Sequence, residues 1–514
     1  MLTKVFSAAV IGIDAIEVEI EIHTGSGDPA IIVVGLPDTI VRESKDRVVA
    51  AISNSGYSWP RTRTTVNLAP ADIKKQGPSF DLPIAIGMIA LAQSATLPRL
   101  DRCYLAGELA LTGEIRPIKG ALPLTLEARA RGKKAVLLPL ANVREAAVVE
   151  GIDVYGIQNL REAYEFLSMK KNLVPAQENP SALLEHQENF DVDFAEVKGQ
   201  HQVKRAVEVA VAGGHNILLI GPPGSGKSML ARRIRTIMPP LSLEEALETT
   251  KIHSVCGLMP PHAALIRERP FRDPHHTISD VGLLGGSANI TPGEISIAHH
   301  GVLFLDELPE FHRSTLEVLR QPLEDAKVTI SRASGTMTFP AAFMLVAAMN
   351  PCPCGYYGDL NRTCRCSPLQ RERYRQRISG PLLDRIDLHI EAPAIQYSEL
   401  TATEIAEPSS TIRERVIAAH RFQEKRFSIQ QIEKKTRYNA RMTPTQLREH
   451  CQLKKESQEL LKKAITELSF SARAYDRILK VARTIADLAS AKSIETEHVL
   501  EALSYRSLDR KMWN

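Results

Sequence analysis

A chain of 514 residues is too long for one hydrophobic core, and length alone implies about three or four domains. A composition of 44% hydrophobic and 24% charged residues argues against a disordered or fibrous chain, and no apolar run approaches the length of a membrane-spanning helix. The net charge of +4 is unevenly spread, because residues 411–514 carry 22 Lys/Arg against 13 Asp/Glu and the remainder is net acidic.

The N-terminal block, residues 1–172, mixes strands and helices. The apolar stretch 5–13 reads as a strand start rather than a secretion signal, since residues 15–22 continue in strict alternation and no small-residue cleavage site follows. Helical spacing is seen at 46–53, 82–92 and 122–131, and residues 135–139 read as a strand. Residues 173–193 are polar and Pro-bearing and read as a linker. Residues 194–393 alternate apolar strands with helices in the manner of a parallel sheet. A second polar stretch, 394–410, leads to a helical block, 411–514, with periodic segments at 447–468, 472–490 and 496–504. Its positive charge suits a polyanionic partner, although solvated helix faces would give the same excess.

The most informative motif lies in the middle block. Gly221-Pro222-Pro223-Gly224-Ser225-Gly226-Lys227-Ser228 sits between the apolar run 216–220 and a helical segment, the context that a phosphate-binding loop requires. Successive backbone N–H groups and the helix N-terminus would wrap the phosphates of ATP. Lys227 would reach the β- and γ-phosphates, and Ser228 would ligate Mg²⁺. About eighty residues on, an apolar strand ends in Asp306-Glu307, where Asp306 would hold Mg²⁺ and Glu307 would polarise the attacking water as general base. The next strand ends at Asn350, whose amide could orient the water; Asn350-Pro351 could equally be a strand-ending turn.

Four cysteines follow as two CxC pairs, Cys352/Cys354 and Cys364/Cys366. They suit a tetrahedral zinc site, with unliganded reduced thiols as the alternative. Seven cysteines in all, an odd number in a large nucleotide-binding chain, argue for a reducing cytoplasm. From residue 361 to 385 the chain carries seven basic against two acidic residues, a basic elbow suited to nucleic acid or to subunit contacts. Between Asp306-Glu307 and Asn350, two β-branched runs around Ser334-Gly335 read as a hairpin. Its Lys327 and Arg332 are placed to touch DNA phosphates, or else to lie on an ordinary surface ribbon.

The order phosphate loop, Asp-Glu strand, Asn strand and helical block resembles an AAA+ ATPase, an α/β fold with a helical lid whose active unit is usually a hexameric ring. Residues 379–388, Ser-Gly-Pro-Leu-Leu-Asp-Arg-Ile-Asp-Leu, resemble the segment that Mg-chelatase-type and MCM-type members use to present an arginine finger. The resemblance gives Arg385 that role in trans, with an ion pair to Asp384 or Asp387 as the alternative. Residues 471–477 resemble the second lid sensor, making Arg473 the phosphate contact and Arg477 the fallback. The insert at 272–286 and the hairpin match elements that point into the pore of helicase rings.

The N-terminal block resembles the Lon-type serine protease fold, an α+β domain, through Lys75-Gln-Gly-Pro-Ser79 and residues 112–120. Lon enzymes activate the serine with a lysine whose position here is Leu122, so the block is expected to lack peptidase chemistry. Over essentially its whole length the chain resembles the YifB/ComM family. That resemblance implies a cytoplasmic homo-hexameric, DNA-dependent ATPase that moves branched or single-stranded DNA and promotes branch migration in natural transformation. A chelatase-like motor remodelling a protein partner is the alternative.

Overall fold

From Val18 to Ile22 every second side chain of the strand Asp14–Thr24 is buried, the period of a strand that turns one face to a core. The computed structural model describes residues 2–185, 190–286, 290–332, 335–359, 362–394, 406–428, 438–468 and 471–508. They divide into two units, Met1–Gln187 with Ser242–Arg267, and Glu188–Leu241 with Glu268–Asn514.

In the first unit, β1 (Leu2–Ile11) and β2 (Asp14–Thr24) form a long antiparallel ribbon. It is extended by β3 (Ala30–Val34), β4 (Arg63–Ala69), β5 (Cys103–Leu105), β6 (Ala135–Pro139) and β7 (Asp153–Ile157). The order across the sheet is β3-β4-β2-β1-β5-β6-β7, with β1, β5, β6 and β7 parallel. One face, with Val5, Ile20 and Leu105, is covered by α1 (Thr39–Asn54), α2 (Asp81–Ala92) and α4 (Leu160–Leu167). The other face, with Ala8, Tyr104 and Val136, is covered by α3 (Ala121–Ala130).

Ser79 lies in the one-turn helix Pro78–Phe80, where its carbonyl accepts from Gly107 N at 2.9 Å. Leu122, where the Lon resemblance leads one to expect a lysine in an active enzyme, is fully buried on α3 against Val148, Val149, Ala264 and Leu265. The last two come from the segment 242–267, which the sequence reading assigned to the middle block. Its helix Leu243–Cys256 opens on a capping box, Ser242 with Glu245, and packs beside α3. The side chain of Lys119 lies against Gly257, just past the helix end. Leu122 is therefore enclosed by apolar side chains, two of them from a distant stretch of sequence.

In the second unit, β8 (Ile217–Ile220) stands between β13 (Met344–Met349) and β14 (Leu388–Glu391), followed outward by β10 (Val302–Leu305) and β9 (Phe271–Arg272). The five strands run parallel in the order β9-β10-β13-β8-β14. Between β10 and β13 the chain forms the antiparallel hairpin β11 (Lys327–Arg332) and β12 (Gly335–Pro340), whose expected turn residue Ser334 lies outside the described residues. Val328 and Ile330 of the hairpin are buried, while Lys327 and Arg332 are exposed. The sheet packs on α5 (His201–Gly213) and α6 (Lys227–Ile237). The C-terminal helices α8 (Ser409–Ser428), α9 (Ala472–Leu488) and α10 (Thr496–Ser504) share that core through Val416, Ile485 and Val499.

Leu122→Ala is expected to cost roughly 2–5 kcal/mol, the usual range for truncating a buried leucine. Thermal melting with hydrogen exchange should show the loss concentrated in α3 and in Leu243–Cys256.

Candidate functional site

The loop after β8 closes on the ends of two neighbouring strands. Gly221 N donates to Met349 O at 3.2 Å, and a Cβ on Gly221 would meet Ala392 O at 2.0 Å, so only glycine fits there. Gly226 takes a left-handed φ of 80° and turns the chain into α6. Lys227, the first residue of that helix, directs Nζ back to Gly221 O (2.8 Å), Pro222 O (2.9 Å) and Asn350 Oδ1 (3.3 Å). Burial lowers its pKa, an effect that the nearby Asp306 partly opposes. Ser228 Oγ donates to Asp306 Oδ2 at 2.5 Å. The structure thus gathers Lys227, Ser228, Asp306 and Asn350 at the C-terminal ends of β8, β10 and β13.

Glu307 is exposed and has a φ of 53°, a left-handed backbone that a glutamate seldom adopts. Its carboxylate Oε2 lies 3.4 Å from His276 Nδ1. Two further residues frame the loop. Gln200, at the start of α5, donates through Nε2 to Ser225 O at 2.5 Å and to Pro393 O at 3.3 Å. Asp273, just after β9, has a pKa raised by burial, which Arg232 partly offsets and Asp306 reinforces. Motif reading missed Gln200, Asp273 and His276. The only signal was the cluster Asp273-Pro-His-His276, whose placement depends on β9 pairing beside β10.

The arginines are arranged differently from expectation. Arg385 is only 5% exposed. Its Nη2 pairs with Glu324 Oε1 at 2.5 Å, and its Nη1 donates to Pro381 O at 2.5 Å. Its intrachain partner is therefore Glu324, not Asp384 or Asp387. Asp387 instead accepts from Arg477, from His215 Nδ1 at 3.3 Å and from Asn216 N at 3.1 Å. Burial alone would raise the Asp387 pKa, yet Arg477 and His215 hold it well below the ordinary carboxylate range. Arg473 stands exposed on the first turn of α9, away from this cluster.

The four cysteines converge. Cys352 Sγ lies 3.4 Å from Cys354 Sγ and 3.7 Å from Cys364 Sγ, and all four sulfurs fall within 4.8 Å of one another. Four thiolates about 2.3 Å from a tetrahedral zinc would stand about 3.8 Å apart, so the cluster has the dimensions of a metal site. A backbone hydrogen bond at Tyr356 lowers the Cys354 pKa, and burial raises that of Cys352.

Comparison with known proteins matches this arrangement along the chain. Residues 193–400 match the model for "Magnesium chelatase, subunit ChlI", residues 20–142 that for "Subunit ChlI of Mg-chelatase", and residues 406–506 that for the ChlI C-terminal region. The "Uncharacterized protein YifB" of Escherichia coli is 43% identical over 511 residues, covering 99% of this chain and 98% of the relative. The "Competence protein ComM" of Haemophilus influenzae is 42% identical over 516 residues, with the same coverage. The chain belongs to the YifB/ComM family. This family assignment makes it a Mg-chelatase-like AAA+ protein, and the Lon likeness has a counterpart in "Lon protease 2" of Bacillus subtilis, 31% identical over 154 residues, or 27% of this chain. Among the described residues no helix is long and apolar enough to cross a membrane.

The buried position of Asp387 gives the family member a testable acid sensitivity. Its folded pKa lies below the unfolded value of about 3.9, so its stabilisation is present above that pH and is lost as pH falls. Asp387→Asn should lower stability near neutral pH by on the order of 3 kcal/mol, since Arg477 loses its buried partner. It should also flatten the acid limb of a melting-temperature profile relative to the unmodified protein.

Proposed function

We propose that this protein is a ring-forming, Mg²⁺-dependent ATPase that moves branched or single-stranded DNA and drives branch migration of recombination intermediates during natural transformation. The observation that carries the ATPase part is the convergence of Lys227, Ser228, Asp306 and Asn350 around the loop Gly221–Ser228. The DNA part is supported by the exposed basic hairpin, by the basic elbow after Asn350 and by likeness to a competence protein. The match to a magnesium chelatase family model favours a second reading, a motor that remodels a protein partner.

Bound ATP with Mg²⁺ would supply the reactive phosphoanhydride and a metal that draws charge from it. Lys227 would exchange the carbonyls of Gly221 and Pro222 for phosphate oxygens. Ser228 and Asp306, already hydrogen-bonded to each other, would hold the metal. Glu307 would take the proton of the attacking water once it turns from His276, with Asn350 orienting that water. Arg385 would leave Glu324 and reach the site of the next subunit, and Arg473 would close from the C-terminal helices. Zinc on the four cysteines would fix the loop that follows Asn350. Ser79 has no lysine to activate it, so the N-terminal unit would act without peptidase chemistry.

Purified protein with ATP and a four-way DNA junction tests the reading, which expects DNA-stimulated hydrolysis and strand exchange. Hydrolysis that ignores DNA would favour the protein-remodelling motor. Lys227→Ala should abolish nucleotide binding, whereas Glu307→Gln should retain ATP and stall; wild-type turnover in Glu307→Gln would remove the general-base assignment. Arg385→Ala should keep ATP affinity yet lose on the order of 10³ in turnover, and mixing it with Lys227→Ala subunits should restore part of the rate. A mixture without complementation would confine Arg385 to its own chain.

A further inference from the structure

The loop that carries the four cysteines also presents a surface that the nucleotide site does not use. Residues 351–377 contain six arginines and two carboxylates. Tyr357 on this loop is 41% exposed. Its ring lies under two guanidiniums, with Arg371 Cζ 4.2 Å and Arg375 Cζ 5.3 Å from the centroid. Beside it, Arg362 stands 5.0 Å from the Tyr356 centroid and donates through Nη1 to Tyr356 Oη at 2.6 Å. Arg371 and Arg375 belong to the short helix α7 (Pro368–Arg375), which a Ser367–Gln370 capping box fixes in place. Tyrosine faces and cations are thus assembled in advance on one segment.

The chemistry of that pairing selects its ligand. Every nucleobase offers a π-face, and in a single strand that face is free to stack on tyrosine, whereas in a duplex it is covered by the next base pair. The guanidiniums of Arg362 and Arg371, already oriented by cation–π contact, suit phosphate oxygens. We propose that Tyr356, Tyr357, Arg362 and Arg371 form a binding surface for single-stranded nucleic acid, with a base stacked on Tyr357 and the backbone held by the two arginines. The location adds a consequence. Gly355, the residue before Tyr356, presses on the phosphate loop so closely that a Cβ would sit 2.5 Å from Pro223 Cδ. A strand seated on the tyrosines therefore bears on a segment in direct contact with the nucleotide loop.

The inference rests on the DNA-handling reading, and its test separates the two. Full-length protein is titrated into a fluorescent oligothymidine of about 30 nucleotides, with anisotropy read over a range of salt concentrations. Tyr357→Ala should weaken binding about tenfold, and Tyr357→Trp should retain it. Arg371→Ala should weaken binding and flatten the slope of log affinity against log salt by about 0.7. Reactivity of the cysteine thiols and circular dichroism report whether each variant keeps its loop. If Tyr357→Ala loses it, Arg371→Ala, which leaves the ring in place, decides the matter. Wild-type affinity and salt slope in variants with an intact loop, alongside weakened binding by Lys327→Ala/Arg332→Ala, would overturn this surface and leave the hairpin as the strand contact. A change in oligomer mass at unchanged affinity would overturn it in favour of a contact between copies. Failure of the unmodified protein to bind any oligonucleotide, single-stranded or branched, would remove the DNA reading itself.

Discussion

Asp387 holds a carboxylate where almost no water reaches it, and the N-terminal ends of β8 and β14, opposite the phosphate loop, are organised around satisfying that charge. Arg477 comes from α9, His215 and Asn216 from the residues leading into β8. Asn216 then spends its own amide on Arg385 O at 3.0 Å and on Leu345 N at 2.9 Å, which fixes the register of β8 against β13 and the turn before β14. His215 passes the network on to Thr484 at 2.8 Å, and Asn439 joins Thr484 to Asp487. An uncompensated charge here would be far costlier than any one of these bonds is stabilising, so the strands and helices are held in one arrangement. The arginine beside it in sequence, Arg385, inherits its position from that hub.

A different constraint shapes the first unit. A leucine on α3 stabilises the unit only if it is kept from water. Here the helix Leu243–Cys256 and the following turn bring Ala264 and Leu265 onto Leu122. Glu145 remains nearby as a trace of polarity, its Oε1 held by Asn142 at 2.7 Å and its pKa raised by burial.

Local pattern reached some of these features and not others. Strand β6 and helix α10 have the same bounds in the sequence reading and the structure, because each is bracketed by clear turn or capping signals. The phosphate loop and the Asp-Glu strand were equally legible, since their spacing is set by a single turn of backbone. The continuous helix expected over 447–468 is instead two, Pro444–His450 and Lys455–Leu468. Nothing in Cys-Gln-Leu-Lys forbids a helix; the break arises because Leu453 bridges to Ile494 some forty residues later. Glu324 as the partner of Arg385 and His276 beside Glu307 were hidden for the same reason, each depending on a contact that crosses the fold. That the segment 242–267 packs with the first unit was not legible, because its helix carries no mark of the unit it packs with.

That segment also dictates an order of events during synthesis. The first unit lacks part of its core until residue 267 has left the ribosome, by which time the phosphate loop and α6 are already outside. Neither unit can finish as an independent piece of nascent chain, so the usual rule of N-terminal domains folding first gives way to interleaved folding. Cutting the chain at the apparent linker near residue 187 would yield a fragment with Leu122, Val148 and Val149 bare, a sticky patch where the intact protein has a closed interior.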